Sequence, residues 1–512
     1  MMRVGGGYPP PVEMKSLWKD RARRHPASPE SPEPEDRTWD VIVVGAGLTG
    51  LTTALLLARA GKSVLVIEAL EAGAGTTGGS TAKVSLLQGT TLSRIARRHP
   101  AEVVEQYVTA NREGQAWLTD YCETHDVPVQ RRAAYTHATT DKGRDAARTE
   151  HNVARGAGLA TEWTKDPPLP FPTTGAVRLD DQAQVDPMQV ISALADDLVQ
   201  HGGTLLQGCR VRRVTGRGPA HVVTDRGDHL AETVVVATNM PILDRGGFFS
   251  RATSERSYGL AFRAPDHGVD AMYLSADSTS RSLRDAPVDG DNLLLVGGNG
   301  HPTGRADSEL ARVRELVDWT TNHFPGASLT HAWSAQDYVT ASALPFVGPL
   351  TPHRADLLVA GGYAKWGMTN AVAAALALSS QVLGGRLEWA QPLRTWSRPR
   401  AGQVMDAARI NAEVGLEMTR GWLRPVLGAA DRTSPAEGDG RVVVDHVGLP
   451  TAVSQVGAQV RRVSAVCPHL GGILRWNDAE LSWDCPLHGS RFAPDGAVLE
   501  GPATCPLGDR SG

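Results

Sequence analysis

Residues 39–68 read WDVIVVGAGLTGLTTALLLARAGKSVLVIE. An apolar run from Val41 to Val44 enters a turn carrying Gly45, Gly47 and Gly50, an apolar-rich segment follows, and a second short apolar run closes on Glu68. That order predicts strand, turn, helix and strand, a β-α-β unit. The N-terminus of such a helix offers unpaired N–H groups and the positive end of its dipole to a pyrophosphate, and glycines let the backbone approach it. Glu68, 18 positions beyond Gly50, stands where an acid accepts ribose hydroxyls. The unit is therefore expected to bind a dinucleotide.

Working outward, residues 71–89 (EAGAGTTGGSTAKVSLLQG) form a small-residue loop where a simple NAD dehydrogenase would continue into another helix. Residues 185–214 predict a helix over 187–201 feeding a strand, and 232–239 (ETVVVATN) predict another strand. Residues 356–385 read as a strand, a Gly361-Gly362 turn and a helix starting near Met368. These segments resemble the D-amino-acid oxidase-like flavoprotein superfamily over roughly 39–400, which selects FAD over NAD. The resemblance implies a loop beside the flavin that includes Thr77 and Ser80, and Val211 near the adenine. It also implies a closing segment in which Gly367, Met368 and Thr369 point a helix N-terminus at the flavin pyrimidine. A reduced flavin carries negative charge there, which a helix N-terminus favours. Residues 73–89 hold no histidine or cysteine, so the FAD is expected to be bound and not tethered.

The implied fold class is α/β: a Rossmann-type FAD domain over 37–400 with an interleaved β-rich substrate domain near 90–185 and 240–345, followed by a small all-β domain. Only seven of 52 basic residues are lysines, and two, Lys83 and Lys365, fall inside the flavin motifs. An ammonium there could stabilise the reduced ring or order a water, so both are catalytic candidates beside the bland reading of a capping or surface lysine. Tyr258 and His301 read as structural at least as readily as catalytic.

A helical stretch and a turn-rich loop over 401–435 predict a linker. Beyond it, over 436–512, stand Cys467-Pro-His469 and Cys485-Pro-Leu-His488, with 15 residues between His469 and Cys485. Two such pairs can hold zinc or an iron–sulfur cluster, and common zinc fingers place both cysteines first. A Rieske 2Fe–2S centre takes one Cys and one His from each loop. The spacing, with HLGG, HGSRF and GPA around it, resembles the Rieske family over 441–512. The resemblance implies Cys467 and Cys485 on one iron and His469 and His488 on the other. Gly472 and Leu487 stand where respiratory Rieske proteins have a disulfide, and Phe492 where they have a tyrosine donor. Ser490 remains as a donor to sulfur, so the potential is expected low in the Rieske range.

The rest of the chain bounds the function. Of its 512 residues 41% are apolar and 21% charged, and no stretch of about 18 apolar residues occurs, so no membrane span is expected. A net charge of −4 excludes the basic excess of a nucleic-acid binder. Five cysteines cannot form a disulfide framework, which suggests the cytoplasm, and Cys122, Cys209 and Cys505 read as buried or inert thiols. Residues 1–36, crowded with Gly, Pro, Ser and charge, read as a disordered tail without a signal peptide. The expected function is a dehydrogenase that oxidises a small amine, amino acid or related C–H donor at FAD and relays single electrons through the cluster. The partners would be a small-molecule substrate and a one-electron protein donor or acceptor. Reverse flow from cluster to FAD and a non-enzymatic redox sensor are the rivals. A Rieske oxygenase is disfavoured, since no iron site of two histidines and a carboxylate follows the cluster motif.

Overall fold

The structure, a computed structural model, describes residues 13–22, 37–265, 268–397, 401–427, 434–445 and 448–510. Strand Thr38–Val44 forms from Val41 to Val44 and is buried on both faces, as a central parallel strand requires. It pairs in parallel with Val64–Ile67 on one side and Gly227–Val236 on the other. Thr204–Leu206 and Leu357–Gly361 extend the parallel sheet outward, and Phe346–Pro349 closes one edge antiparallel. Helix Leu48–Arg59 lies on one face beside Gly367–Val382, both mostly apolar and mostly buried.

Interleaved with this layer is a nine-stranded sheet whose long strands are Val129–Ala138, Gly175–Val185, Ala252–Arg263, Asp291–Pro302 and Ser328–Thr340. The expectation of a β-rich insertion is incomplete. The same segments also form helices Ala101–Thr124, Asp141–Gly156 and Glu309–His323.

The tail expectation fails for the described residues 13–22. Leu17 and Trp18 are each 1% exposed, in a core cluster with Leu293, Leu295 and Trp333. The Ser16 hydroxyl donates to the Gly78 carbonyl at 2.6 Å and the Trp18 indole to the Ser80 carbonyl at 2.8 Å. Two large apolar side chains in a five-residue helix suffice to dock it against the flavin loop, despite the polar composition around them. Residues 1–12 and 23–36 lie outside the described residues.

Helix Ala401–Leu427 joins the two parts of the chain. Its Asp406 pairs with Arg98 at 2.7 Å and the Asn411 amide donates to the Ser250 carbonyl, while the Trp422 indole donates to the Gly471 carbonyl. Two small antiparallel sheets follow, Gly440–Val444 with Pro450–Val456 and Gln459–Ser464, and a four-stranded one over 475–500. Cys122 and Cys209 are buried and Cys505 is exposed, all three without a disulfide. Among the described residues no helix is long and apolar enough to cross a membrane.

Candidate functional site

Three glycines at the first turn do three different jobs. Gly45 has φ +104°, and a Cβ there would meet the Ala237 carbonyl oxygen at 2.9 Å. A Cβ on Gly50 would lie 1.9 Å from the Gly45 oxygen, so that glycine lets the helix close on the strand and does not line the cleft. Gly47, the helix N-cap, has open space bounded only by the Thr77 hydroxyl, which accepts from Leu48 N–H at 3.2 Å. This is a cradle that a side chain would fill.

The cleft runs from this cradle past Glu68, Thr77 and Ser80 to Lys365, Gly367 and Met368. Glu68 is fixed by Ala46 N–H at 2.8 Å and Leu70 N–H at 2.9 Å. Burial raises its pKa, with those N–H groups and Arg210 opposing. Not every motif residue reaches the cleft. Val211 packs in the core while its neighbour Arg210 lines the cleft. Gly361 and Gly362 sit behind it, where a Cβ would meet the Asn239 carbonyl oxygen at 1.9 Å and Thr340 Cγ2 at 2.5 Å. The Thr369 hydroxyl donates to Asn111 at 2.6 Å, in a buried polar cluster with Gln88. The sequence reading missed Asp337, whose carboxylate accepts from Lys365 N–H, Tyr338 N–H and the Asn239 amide and so fixes the wall of the cleft.

A second cavity continues from the far end, sharing Ser257, Tyr258, Lys365 and Met368 with the first. Lys83 and Arg94 line it. Lys365 is paired with Glu255 at 2.9 Å. Arg94 rides on the helix Thr91–Ala96, whose Leu92 and Ser93 N–H groups are held by the buried Glu150 carboxylate, and its Nε has no hydrogen-bond partner. The buried Tyr258 hydroxyl also lacks a partner, and its ring stacks on His301 with centroids 5.8 Å apart. His301 itself lines neither cavity.

Lys83 bonds to the Ser282 hydroxyl, and burial, with Arg284 adding to it, pushes its amine down to about 7. The folded value lies below the ordinary 10.5, so folding disfavours the charged form and stability falls as pH drops from 10.5 to 7. Lys83→Met should therefore stabilise the protein by on the order of 3 kcal/mol below neutrality and hardly at all near pH 10. Thermal melts at pH 6 and pH 9.5 check this, and an equal shift at both would refute the depressed amine.

The four residues of the two Cys-His loops come together. The Cys467 and Cys485 thiols are within hydrogen-bonding reach of each other. The His469 and His488 rings cross with centroids 5.2 Å apart. His488 Nδ1 is buried and has no partner, an orphaned ligand atom that fits iron coordination. The buried Ser490 hydroxyl lies beside Cys467, where its dipole favours the thiolate, and accepts from Ala503 N–H at 3.0 Å. A Cβ on Gly472 would lie 2.6 Å from Leu487 Cδ1, so the leucine packs directly on the glycine at the two positions where respiratory Rieske proteins have a disulfide. Phe492 is fully buried in the same core.

These loops face the flavin cleft. The Gln336 amide donates to the Gly489 carbonyl at 2.9 Å, and the Tyr338 hydroxyl to the His488 carbonyl at 3.3 Å. Both side chains belong to residues that line the cleft, as do Leu499, Glu500 and Gly501 from the C-terminal sheet. Gly489 has φ +81°, and a Cβ there would lie 2.6 Å from Ser254 Cβ, so only glycine permits the approach.

Comparison with known proteins agrees with this geometry. The family model "FAD dependent oxidoreductase" matches residues 40–381, and "Rieske [2Fe-2S] domain" matches 427–509. A Bacillus subtilis protein named "Putative Rieske 2Fe-2S iron-sulfur protein YhfW" is 31% identical over 480 residues, 92% of this chain and 93% of that one. Among solved structures, glycine oxidase from Geobacillus kaustophilus superposes with a TM-score of 0.60 at 20% identity, over 71% of this chain and 100% of that one. L-proline dehydrogenase from P. horikoshii does so with 0.56 at 16%, over 71% and 97%. At those identities the likeness is one of fold.

Proposed function

The chain belongs to the family of FAD dependent oxidoreductases and carries a Rieske [2Fe-2S] domain, and from that premise we propose a dehydrogenase with an internal one-electron outlet. It oxidises a small amino acid or related carboxylate-bearing C–H donor and delivers electrons singly to a protein acceptor. The observation that carries the proposal is the shared wall. Residues of the cluster domain line the flavin cleft, and Gln336 and Tyr338 of that cleft hold the main chain of the cluster loop. When bound, FAD supplies hydride acceptance and the 2Fe–2S cluster single-electron carriage.

The residues that would hold FAD are the Gly47 cradle, Glu68, Thr77, Ser80 and the N-terminus of the helix Gly367–Val382. Cys467, Cys485, His469 and His488 would hold the cluster. In the adjoining cavity Arg94 offers a cation and Lys83 an amine that burial pushes toward its neutral form, whereas Lys365, which also lines it, is already paired with Glu255. Asp277 is occupied by Thr139 and Thr140. The lining therefore favours a substrate with a carboxylate, and a cavity of about 300 Å³ is on the scale of a small molecule.

Anaerobic bleaching of the flavin by amino acids, hydroxy acids and the matching amines tests this. Carboxylate-bearing compounds should bleach and their decarboxylated counterparts should not. Losing one charge-assisted contact, Arg94→Leu should raise KM by roughly 10–100-fold. Amines that bleach as readily as amino acids would refute the cationic subsite, and a flavin that no donor bleaches would refute the dehydrogenase.

A further inference from the structure

Both histidines of the cluster motif are covered by the flavin domain. The His469 side chain and the residue His488 are each 5% exposed, and what covers them is the segment from the end of strand Gly227–Val236 through the short turn Phe248–Arg251. Phe249 stands edge-on to both rings, with centroids 5.6 Å from His469 and 5.1 Å from His488. Asp244 Oδ1 lies 2.6 Å from His469 Nε2. That contact assigns the His469 ring: with Nε2–H donated to a carboxylate, Nδ1 is the nitrogen left for iron.

We infer that Asp244 and Phe249 form a fixed cap on the histidine side of the cluster, which orients His469 and holds the reduction potential down. This goes beyond the dehydrogenase reading and stands whichever way electrons flow. Reduction adds one negative charge to the cluster. A carboxylate hydrogen-bonded to a ligand imidazole opposes that charge and strengthens the ligand's donation to oxidised iron. An aromatic ring over both histidines excludes water that would otherwise solvate the added charge. Both effects disfavour the reduced form. Asp244 is a positioning residue, since it acts through His469.

The test is a redox titration of the full-length holoprotein followed by EPR, with iron and acid-labile sulfide counted in each variant. Asp244→Asn and Phe249→Ala should each raise the midpoint while keeping the cluster, and Asp244→Glu should restore most of the parent value. An unmoved midpoint in cluster-loaded Asp244→Asn overturns the inference. If Asp244→Asn does not load its cluster, Phe249→Ala decides alone, and an unmoved midpoint there overturns it equally.

Discussion

Substrate should still bleach the flavin of the Cys485→Ser protein, yet that protein should reduce a one-electron protein acceptor no faster than background. A serine hydroxyl stays protonated at neutral pH, so the soft thiolate that iron requires is gone and the cluster is not held. The flavin cradle and the cationic cavity are built from residues before 400, apart from the wall contributed by Leu499, Glu500 and Gly501. That wall is anchored by Arg256 to Glu480 and Glu500 and by Gln336 to the Gly489 carbonyl, none of which involves the Cys485 sulfur. FAD content and the melting of the flavin domain report whether the wall survives. The acceptor must be a protein, because oxygen or a dye can draw electrons from a flavin directly. A variant with its FAD and its melting intact that substrate no longer bleaches would place electron entry at the cluster.

The parts legible in the sequence are those written in local spacing. Gly45, Gly47 and Gly50 before a helix, with Glu68 at the next strand end, define the β-α-β unit because the turn, the helix dipole and the strand all lie within thirty residues. Cys467, His469, Cys485 and His488, the residues that would hold the cluster, are legible for the same reason. Membership of a motif did not guarantee contact with the cleft: Gly50, Val211, Gly361 and Gly362 serve packing and Thr369 a buried hydrogen-bond cluster, and nothing in their spacing separates those uses from lining. The docking of residues 13–22 was not legible because composition averages over 36 residues, whereas docking rests on the buried Leu17 and Trp18 and on hydrogen bonds from Ser16 and Trp18. Asp244 and Glu150 were invisible for another reason. A carboxylate becomes a cap or a ligand partner only through the fold, and Asp244 lies 225 residues from His469. Charges paired at such separations read as solvated surface.

The strongest case of that kind is Arg256, whose replacement by methionine should destabilise the holoprotein by about 3–5 kcal/mol and loosen the cluster domain from the flavin domain. Arg256 is 1% exposed on the strand Ala252–Arg263, and its guanidinium reaches Glu480 at 2.7 Å and Glu500 at 2.5 Å. Arg491 completes the network, touching Glu480, Glu500 and Asp484 at 3.0, 3.1 and 3.0 Å. Without Arg256, the buried Asp484 and the partly buried Glu480 and Glu500 face one guanidinium, and the uncompensated charge costs more than any apolar contact the methionine gains. Burial alone would raise Glu480, but Arg256 and Arg491 outweigh it and hold the carboxyl at about 2. Its folded value is thus depressed, so the stability it contributes is present above the ordinary 4.5 and is lost as pH falls from 4.5 toward 2. The gap between parent and variant should be full at pH 7 and narrow through that acid window, as urea unfolding at several pH values would show. Arg256→Lys keeps the charge but not the two-pronged reach, and should fall between them. Equal stability of parent and Arg256→Met at pH 7 would mean that the ion network is not what docks the domains. If the network does dock them, acceptor reduction should fall with stability, because Gln336 and Tyr338 hold the cluster loop only while the domains are joined.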